Sequence, residues 1–217
     1  MKEKTYQPTT WSLQDLYPSA NSPEFEASFQ ELETLVTEFE KVREILSEDI
    51  SVDEFMGAIY QIDKITRIGP KMYAYVQLWY TQDTQNEKAM ALMGRVDQFV
   101  TGLSNRTLFF TLWWKQVSDK TAQRLLDASG DYRYWLEQIR NFKDFTLSEP
   151  EEKIINLKDI TGFNTLNNIY DTITNRYTFK LTVDGEEKEY TRGELMVHAR
   201  RTDPELRQAA FAELYRV

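Results

Sequence analysis

Cysteine is absent from the 217-residue sequence, and histidine occurs once, as His198. Without cysteine there is neither a disulfide framework nor a thiolate metal site, and the absence fits a reducing, cytoplasmic setting. A lone histidine leaves no material for a Ser-His-Asp or Cys-His arrangement, and none for the histidine pair of an HExxH zinc helix. Glycine and proline are scarce at 8 and 6 residues, which leaves few turns and favours long helices over many short strands. GxGxxG and Walker A phosphate loops are missing, as is a G-x-S-x-G nucleophile elbow. Positive charge is in deficit: the net charge of −9 repels a phosphate backbone, so nucleic acid is not an expected partner. The densest apolar run, Leu108-Phe-Phe-Thr-Leu-Trp-Trp114, is far shorter than the roughly 20 residues a bilayer requires. It reads as a buried helix segment, with no membrane partner implied. The opening eighteen residues, Met1 to Pro18, hold no apolar stretch of the kind a secretory signal needs.

What remains is ordinary globular material, 41% hydrophobic and 28% charged. The length is enough for one large domain, or for one domain and part of a second. Ser22-Pro23 reads as an N-cap with proline at the first helical position, and Phe25, Phe29, Leu32, Val36 and Phe39 follow at helical spacing to about Leu46. Ser51-Val-Asp-Glu54 is a capping box that opens a second helix with the stripe Val52, Phe55, Ile59, Ile62. A third helix is predicted over about Lys71 to Tyr80. Asn86 to about Gln116 reads as one very long helix, or as two joined near Gly102. Ser118 caps a short helix that ends before Gly130, and Asp131 opens another that turns Tyr132, Trp135, Leu136 and Ile139 inward. Ser148-Glu-Pro-Glu151 is a second capping box, and its helix is expected to stop at Gly162, with helix resuming from Phe163 to about Asn175.

The period then changes from helical to alternating. Tyr177, Phe179, Leu181 and Val183 make one greasy strand face, Asp184-Gly185 suits a two-residue type I′ turn, and Glu186 to Tyr190 returns with Tyr190 opposite Phe179. Thr191-Arg-Gly-Glu194 is a third capping box. Asp203-Pro204 starts a last helix with Leu206, Ala210, Leu214 and Val217 on one stripe. No stop signal follows that helix and the sequence offers its stripe no evident partner, so a cut within a larger protein is expected. The fold class is therefore all-α, a helical array of long antiparallel helices, plus one small β-hairpin near 176–190. Residues 1–175 are read as the helical domain and 176–217 as the start of a second.

Trp11-Ser-Leu-Gln-Asp-Leu-Tyr17 resembles the opening of the oligoendopeptidase F group of M3-type zinc metallopeptidases. The stretch Asn141-Phe-Lys-Asp-Phe-Thr-Leu-Ser-Glu-Pro-Glu-Glu-Lys-Ile-Ile155, the hairpin around Val183-Asp-Gly185, and Asp203-Pro-Glu-Leu-Arg-Gln-Ala-Ala-Phe211 are similar to later segments of that family, in the same order. None of these motifs is catalytic. The resemblance implies a mostly helical fold around a deep channel that admits short peptides. It also implies zinc in the full-length protein, held by two histidines of an HExxH helix and a later glutamate. That motif is not in this sequence, so no catalytic, metal or cofactor residue is assigned here. The function implied is the N-terminal part of a zinc oligopeptidase, one wall of its substrate channel, inactive without the catalytic domain that would be its partner. The alternative is a free-standing helical interaction or scaffold module.

Three constellations invite a chemical reading. Glu194 and His198 share a helix face at i, i+4, but catalytic zinc takes three protein ligands, so a surface or hydrogen-bonded histidine is the better account. Glu151-Glu152 and Glu186-Glu187 are paired carboxylates; the first contains a capping residue, and neighbours on a strand point to opposite faces. Trp113-Trp114 and Tyr73-Ala-Tyr75 are read as core packing rather than as a stacking platform.

Overall fold

A computed structural model describes residues 12–216; the proposed opening motif's Trp11 and the stripe residue Val217 lie outside them. The chain divides into two compact units, one up to Ile160 and one from Thr161 onward.

In the first unit, helix α1 (Pro23–Glu40) begins as its sequence dictates, with the Phe25 amide donating to Ser22 Oγ at 3.2 Å. Its stripe Phe25, Phe29, Leu32, Val36 and Phe39 is buried throughout, and a 3-10 turn, Lys41–Glu44, ends it. Helix α2 (Val52–Gln82) opens on the expected capping box: the Ser51 amide donates to Glu54 Oε2 at 3.1 Å and the Glu54 amide to Ser51 Oγ at 3.2 Å. Helix α3 (Glu87–Gln116) is a single rod capped by Asn86, with no break at Gly102. Helix α2 packs antiparallel to both α1 and α3, while α1 and α3 lie side by side and parallel, with Glu26 paired to Arg95 at one end and Glu40 to Arg106 at the other. Helices α4 (Asp119–Asp127), α5 (Arg133–Arg140) and α6 (Glu149–Asp159) follow.

Two clusters of buried side chains fill the unit. One gathers Phe39, Phe55, Ile59, Phe110, Trp114, Leu125 and Leu136. The other gathers Tyr17, Phe25, Leu32, Met72, Val76 and Val96. Helix α2 supplies both, and this explains the first departure from the sequence reading. The predicted break between Ile62 and Lys71 does not occur: α2 runs through Pro70. An internal proline costs roughly 3 kcal/mol, but Phe55 to Ile62 anchor the helix in one cluster and Met72 to Tyr80 in the other. Burying a single large apolar side chain is worth about 1.5–3 kcal/mol, so packing on both sides of Pro70 outweighs the defect.

Polar groups stitch the helices together where they are half-buried. Arg106 on α3 donates to Glu33, Thr37 and Glu40, all on α1. Buried Asn105 accepts from Asn156 Nδ2 at 2.8 Å and donates to the Lys153 carbonyl, tying α3 to α6. Arg43 forms a two-pronged pair with Glu149 at 3.0 and 2.8 Å. The short helices also differ from expectation at one cap. Asp131 makes no capping bond; Gly130–Tyr132 is a 3-10 turn, and α5 starts after it. Gly130 adopts φ +52°, a conformation glycine takes without a Cβ clash.

Gly162 does not end its helix. It lies inside a π-helical turn, Ile160–Asn164, that leads to α7 (Thr165–Thr174). Its φ is not positive, so the left-handed cap expected there is absent: the wider turn absorbs an extra residue while helical hydrogen bonding goes on.

The second unit holds the hairpin. Strands β1 (Phe179–Val183) and β2 (Glu186–Tyr190) pair antiparallel with Phe179 opposite Tyr190, the register read from the sequence. Asp184 and Gly185 take φ of 54° and 82°, as a type I′ turn requires. Tyr177 falls before the strand. Helix α8 (Arg192–His198) carries the Thr191–Glu194 box, and α9 (Pro204–Leu214) starts at Asp203. Phe179, Leu181, Leu195, Ala199 and Ala210 form a small core, joined by Leu206 and Leu214. The last helix therefore does have a partner for its stripe. It packs on the hairpin and α8 of its own unit, so the terminal helix is not unpartnered.

Candidate functional site

The first unit contains an open cleft of about 360 Å³ between α2 and α3. Its walls are Ile62, Ile65, Thr66, Gly69 and Pro70 from α2, and Val100, Ser104, Thr107, Leu108 and Thr111 from α3; Trp135 of α5 and Asn156 of α6 border it. Three of the threonines spend their hydroxyls on their own helices: Thr66 donates to the Ile62 carbonyl, Thr107 to Leu103 and Thr111 to Leu108. Those hydroxyls are satisfied internally, so the cleft is chiefly apolar. One acceptor is left over by the covalent chemistry: proline has no N–H, so Pro70 cannot donate to the Thr66 carbonyl one turn earlier. Trp135 also borders two smaller hollows, one beside Ile59 and Tyr132 and one beside Lys115 and Phe142. On α3, burial pushes the Asp97 carboxyl above its ordinary value.

Exposed apolar side chains concentrate further along the chain. In the first unit Phe145, Ile154 and Leu157 are exposed, and α6 buries none of its residues. In the second unit Phe163, Leu166, Ile169, Tyr170 and Ile173 are exposed, and α7 likewise buries none. Sequence reasoning found these helices but assigned no face to them. The signal was present as apolar residues at helical spacing; what sequence cannot tell is whether such a stripe is covered.

Glu194 is committed to the Thr191 amide at 2.8 Å, which holds its carboxyl below the usual range. His198 is buried, and its Nδ1 has no hydrogen-bond partner among the described groups. It is neither a surface residue nor a satisfied one, contrary to expectation. Glu151 accepts from the Ser148 amide at 2.9 Å, and Glu152 from the Leu147 amide at 3.1 Å. Glu186 pairs with Lys188 at 3.0 Å. Trp114 is fully buried and donates from Nε1 to the Leu136 carbonyl at 2.9 Å. Trp113 is half-buried and Tyr75 buried, while Tyr73 is exposed and so is not core. Among the described residues no three His, Cys, Asp or Glu side chains gather to hold a metal ion, and no helix is long and apolar enough to cross a membrane.

Comparison with known proteins gives a consistent relationship. A family model described as Oligopeptidase F matches residues 113–179. Oligopeptidase PepF of Bacillus subtilis (strain 168) is 24% identical over 216 residues, which is 95% of this chain and 31% of that protein. The solved structure of oligoendopeptidase-F from Enterococcus faecium superposes with a TM-score of 0.72 at 25% identity, covering 89% of this chain and 39% of that one. A protein from Chlamydophila abortus shares the fold at a TM-score of 0.51 and 18% identity. The chain thus spans about a third of the length of the relatives it matches. These likenesses support reading the chain as similar to the N-terminal portion of oligoendopeptidase F-type M3 peptidases.

Proposed function

We propose that this chain acts as the N-terminal part of a zinc-dependent oligopeptidase, where it forms one wall of the substrate channel and does not hydrolyse peptides by itself. The observation that carries this reading is the likeness to oligopeptidases over 95% of the chain but only 31% of the relative. The functional division is taken at residue 176, with 176–217 opening the catalytic domain; the compact units part somewhat earlier, after Ile160. The apolar cleft between α2 and α3 suits the wall of a channel that receives extended peptides, because it offers apolar surface with few competing polar groups. The exposed side chains of α6 and α7 suit burial against the catalytic portion. A cytoplasmic location accords with the absence of cysteine.

Zinc, when bound, supplies a lowered water pKa and a Lewis acid for the carbonyl oxygen. The residues present do not fit it: the lone histidine is buried, Glu194 one helical turn before it is already spent on a cap, and HExxH is not in the sequence. Metal analysis and a fluorogenic oligopeptide assay on the purified chain test the proposal. The expected result is substoichiometric zinc and no cleavage above background. One tightly held zinc per chain, or turnover that chelation abolishes, would overturn it.

A further inference from the structure

The second unit contains a titratable group that none of the foregoing uses. His198 ends α8 with only 8% of its surface exposed. Its ring stands edge-on to Tyr190 of β2, with centroids 4.9 Å apart at 70°. Its Nδ1 is buried and unpartnered among the described groups. A neutral imidazole tolerates this site, since one nitrogen can stay unprotonated. The imidazolium must carry a proton on both nitrogens, and here the Nδ1 proton would be shut off from water with no acceptor among the described groups.

We infer that His198 is an acid-sensitive latch: as the neutral ring it closes α8 onto the β-hairpin, and protonation loosens that contact.

Arg201, in the turn after α8, opposes the imidazolium, and Asp184, at the hairpin tip, favours it. Strand β2 offers the Tyr190 ring and the mutually neutralising Lys188–Glu186 pair at 3.0 Å. On β1, Lys180 lies near Glu189 across the hairpin. From α9, Leu206, Ala210 and Leu214 face this core, while Glu213 is occupied by Arg216 and by the Lys180 amide. The C-terminus of α8 attracts a cation, but α8 is short and its terminal field is weak beside the cost of burial. Burial is the leading cause, with Arg201 second, of a His198 pKa below the ordinary 6.5. The sign follows. The folded unit prefers the neutral ring, so the unfolded chain binds more protons below pH 6.5; the contribution is fully present above that pH and is lost as pH falls beneath it.

Because the chain has one histidine, its imidazole signal is unambiguous in an NMR titration of the whole chain from pH 8 to 4.5. The ring is expected to titrate below 6.5. Amide exchange over residues 179–199, corrected for the intrinsic rate, should accelerate on acidification by about tenfold for every unit of that depression. His198→Phe keeps a ring against Tyr190 without the proton and should abolish that acceleration between pH 7 and 5, where the carboxylates stay ionised. A His198 midpoint at or above 6.5 would overturn the proposal, even where the phenylalanine variant fails to fold. So would equal acid-induced loss of protection in His198→Phe.

Discussion

Pro70→Ala should stabilise the first unit. Pro70 sits inside α2, is exposed, and borders the cleft, so its removal deletes no core contact. Relative to alanine an internal helical proline costs roughly 3 kcal/mol, from the missing N–H and the ring clash with the preceding turn. Against this stands the lost restriction of the unfolded chain, about 0.4–1 kcal/mol. The net expectation is a gain of roughly 2 kcal/mol, with the Thr66 carbonyl acquiring an amide donor. For a chain of this size each kcal/mol moves Tm by about 2–4 °C, so the variant should melt about 4–8 °C higher. Thermal unfolding followed by circular dichroism at 222 nm, at fixed pH and salt, reads this directly. A Tm equal to or below that of the parent would refute the reasoning. It would mean that the two halves of α2 reach their separate clusters only with the geometry proline imposes.

Three further outcomes are expected. Trp114→Phe removes the Nε1 donor to the buried Leu136 carbonyl and should cost about 1–3 kcal/mol in urea unfolding, the penalty of an orphaned acceptor. Arg43 and Lys153 hold the Glu149 carboxyl down to about 2; its contribution is present above the ordinary 4.5 and is lost as pH falls toward 2. Arg43→Gln should therefore move the acid-unfolding midpoint of the first unit to higher pH, as measured by tryptophan fluorescence, and an unchanged midpoint would contradict the assignment. Helix α7 buries no residue and ten residues do not sustain a helix unaided, so its amides in the purified chain should exchange far faster than those of α3; comparable protection would show that its face is covered already.

Much of the fold was legible because its punctuation is local. The Ser51–Glu54 and Thr191–Glu194 boxes, the Pro23 and Pro204 starts and the Asp184-Gly185 turn each depend on a few adjacent residues, and each lies where the sequence places it. The failures share one cause. At Pro70 a local stop signal was overridden by burial on both sides, and at Gly162 a π turn carried the helix past a residue expected to end it. His198 was misjudged for the same reason: its burial depends on Tyr190 and the hairpin folding back over α8, and nothing within a few residues reveals that. The cleft was illegible because its lining combines α2, α3, α5 and α6, positions brought together by helix packing rather than by spacing in the chain.

The apolar surface is where fold and function meet. Scattered exposed apolar residues are normal, but here most of the large ones fall within the stretch that the Oligopeptidase F model matches, residues 113–179. The cores do not need them: each cluster closes with α6 and α7 contributing no buried residue. Side chains that add nothing to the packing of this chain, yet keep helical spacing over Leu166, Ile169, Tyr170 and Ile173, are better explained by a surface that covers them. A solvated helix would lose little by replacing them with polar residues, since its capping and backbone bonds would be unchanged. Under the proposed function that cover is the catalytic portion.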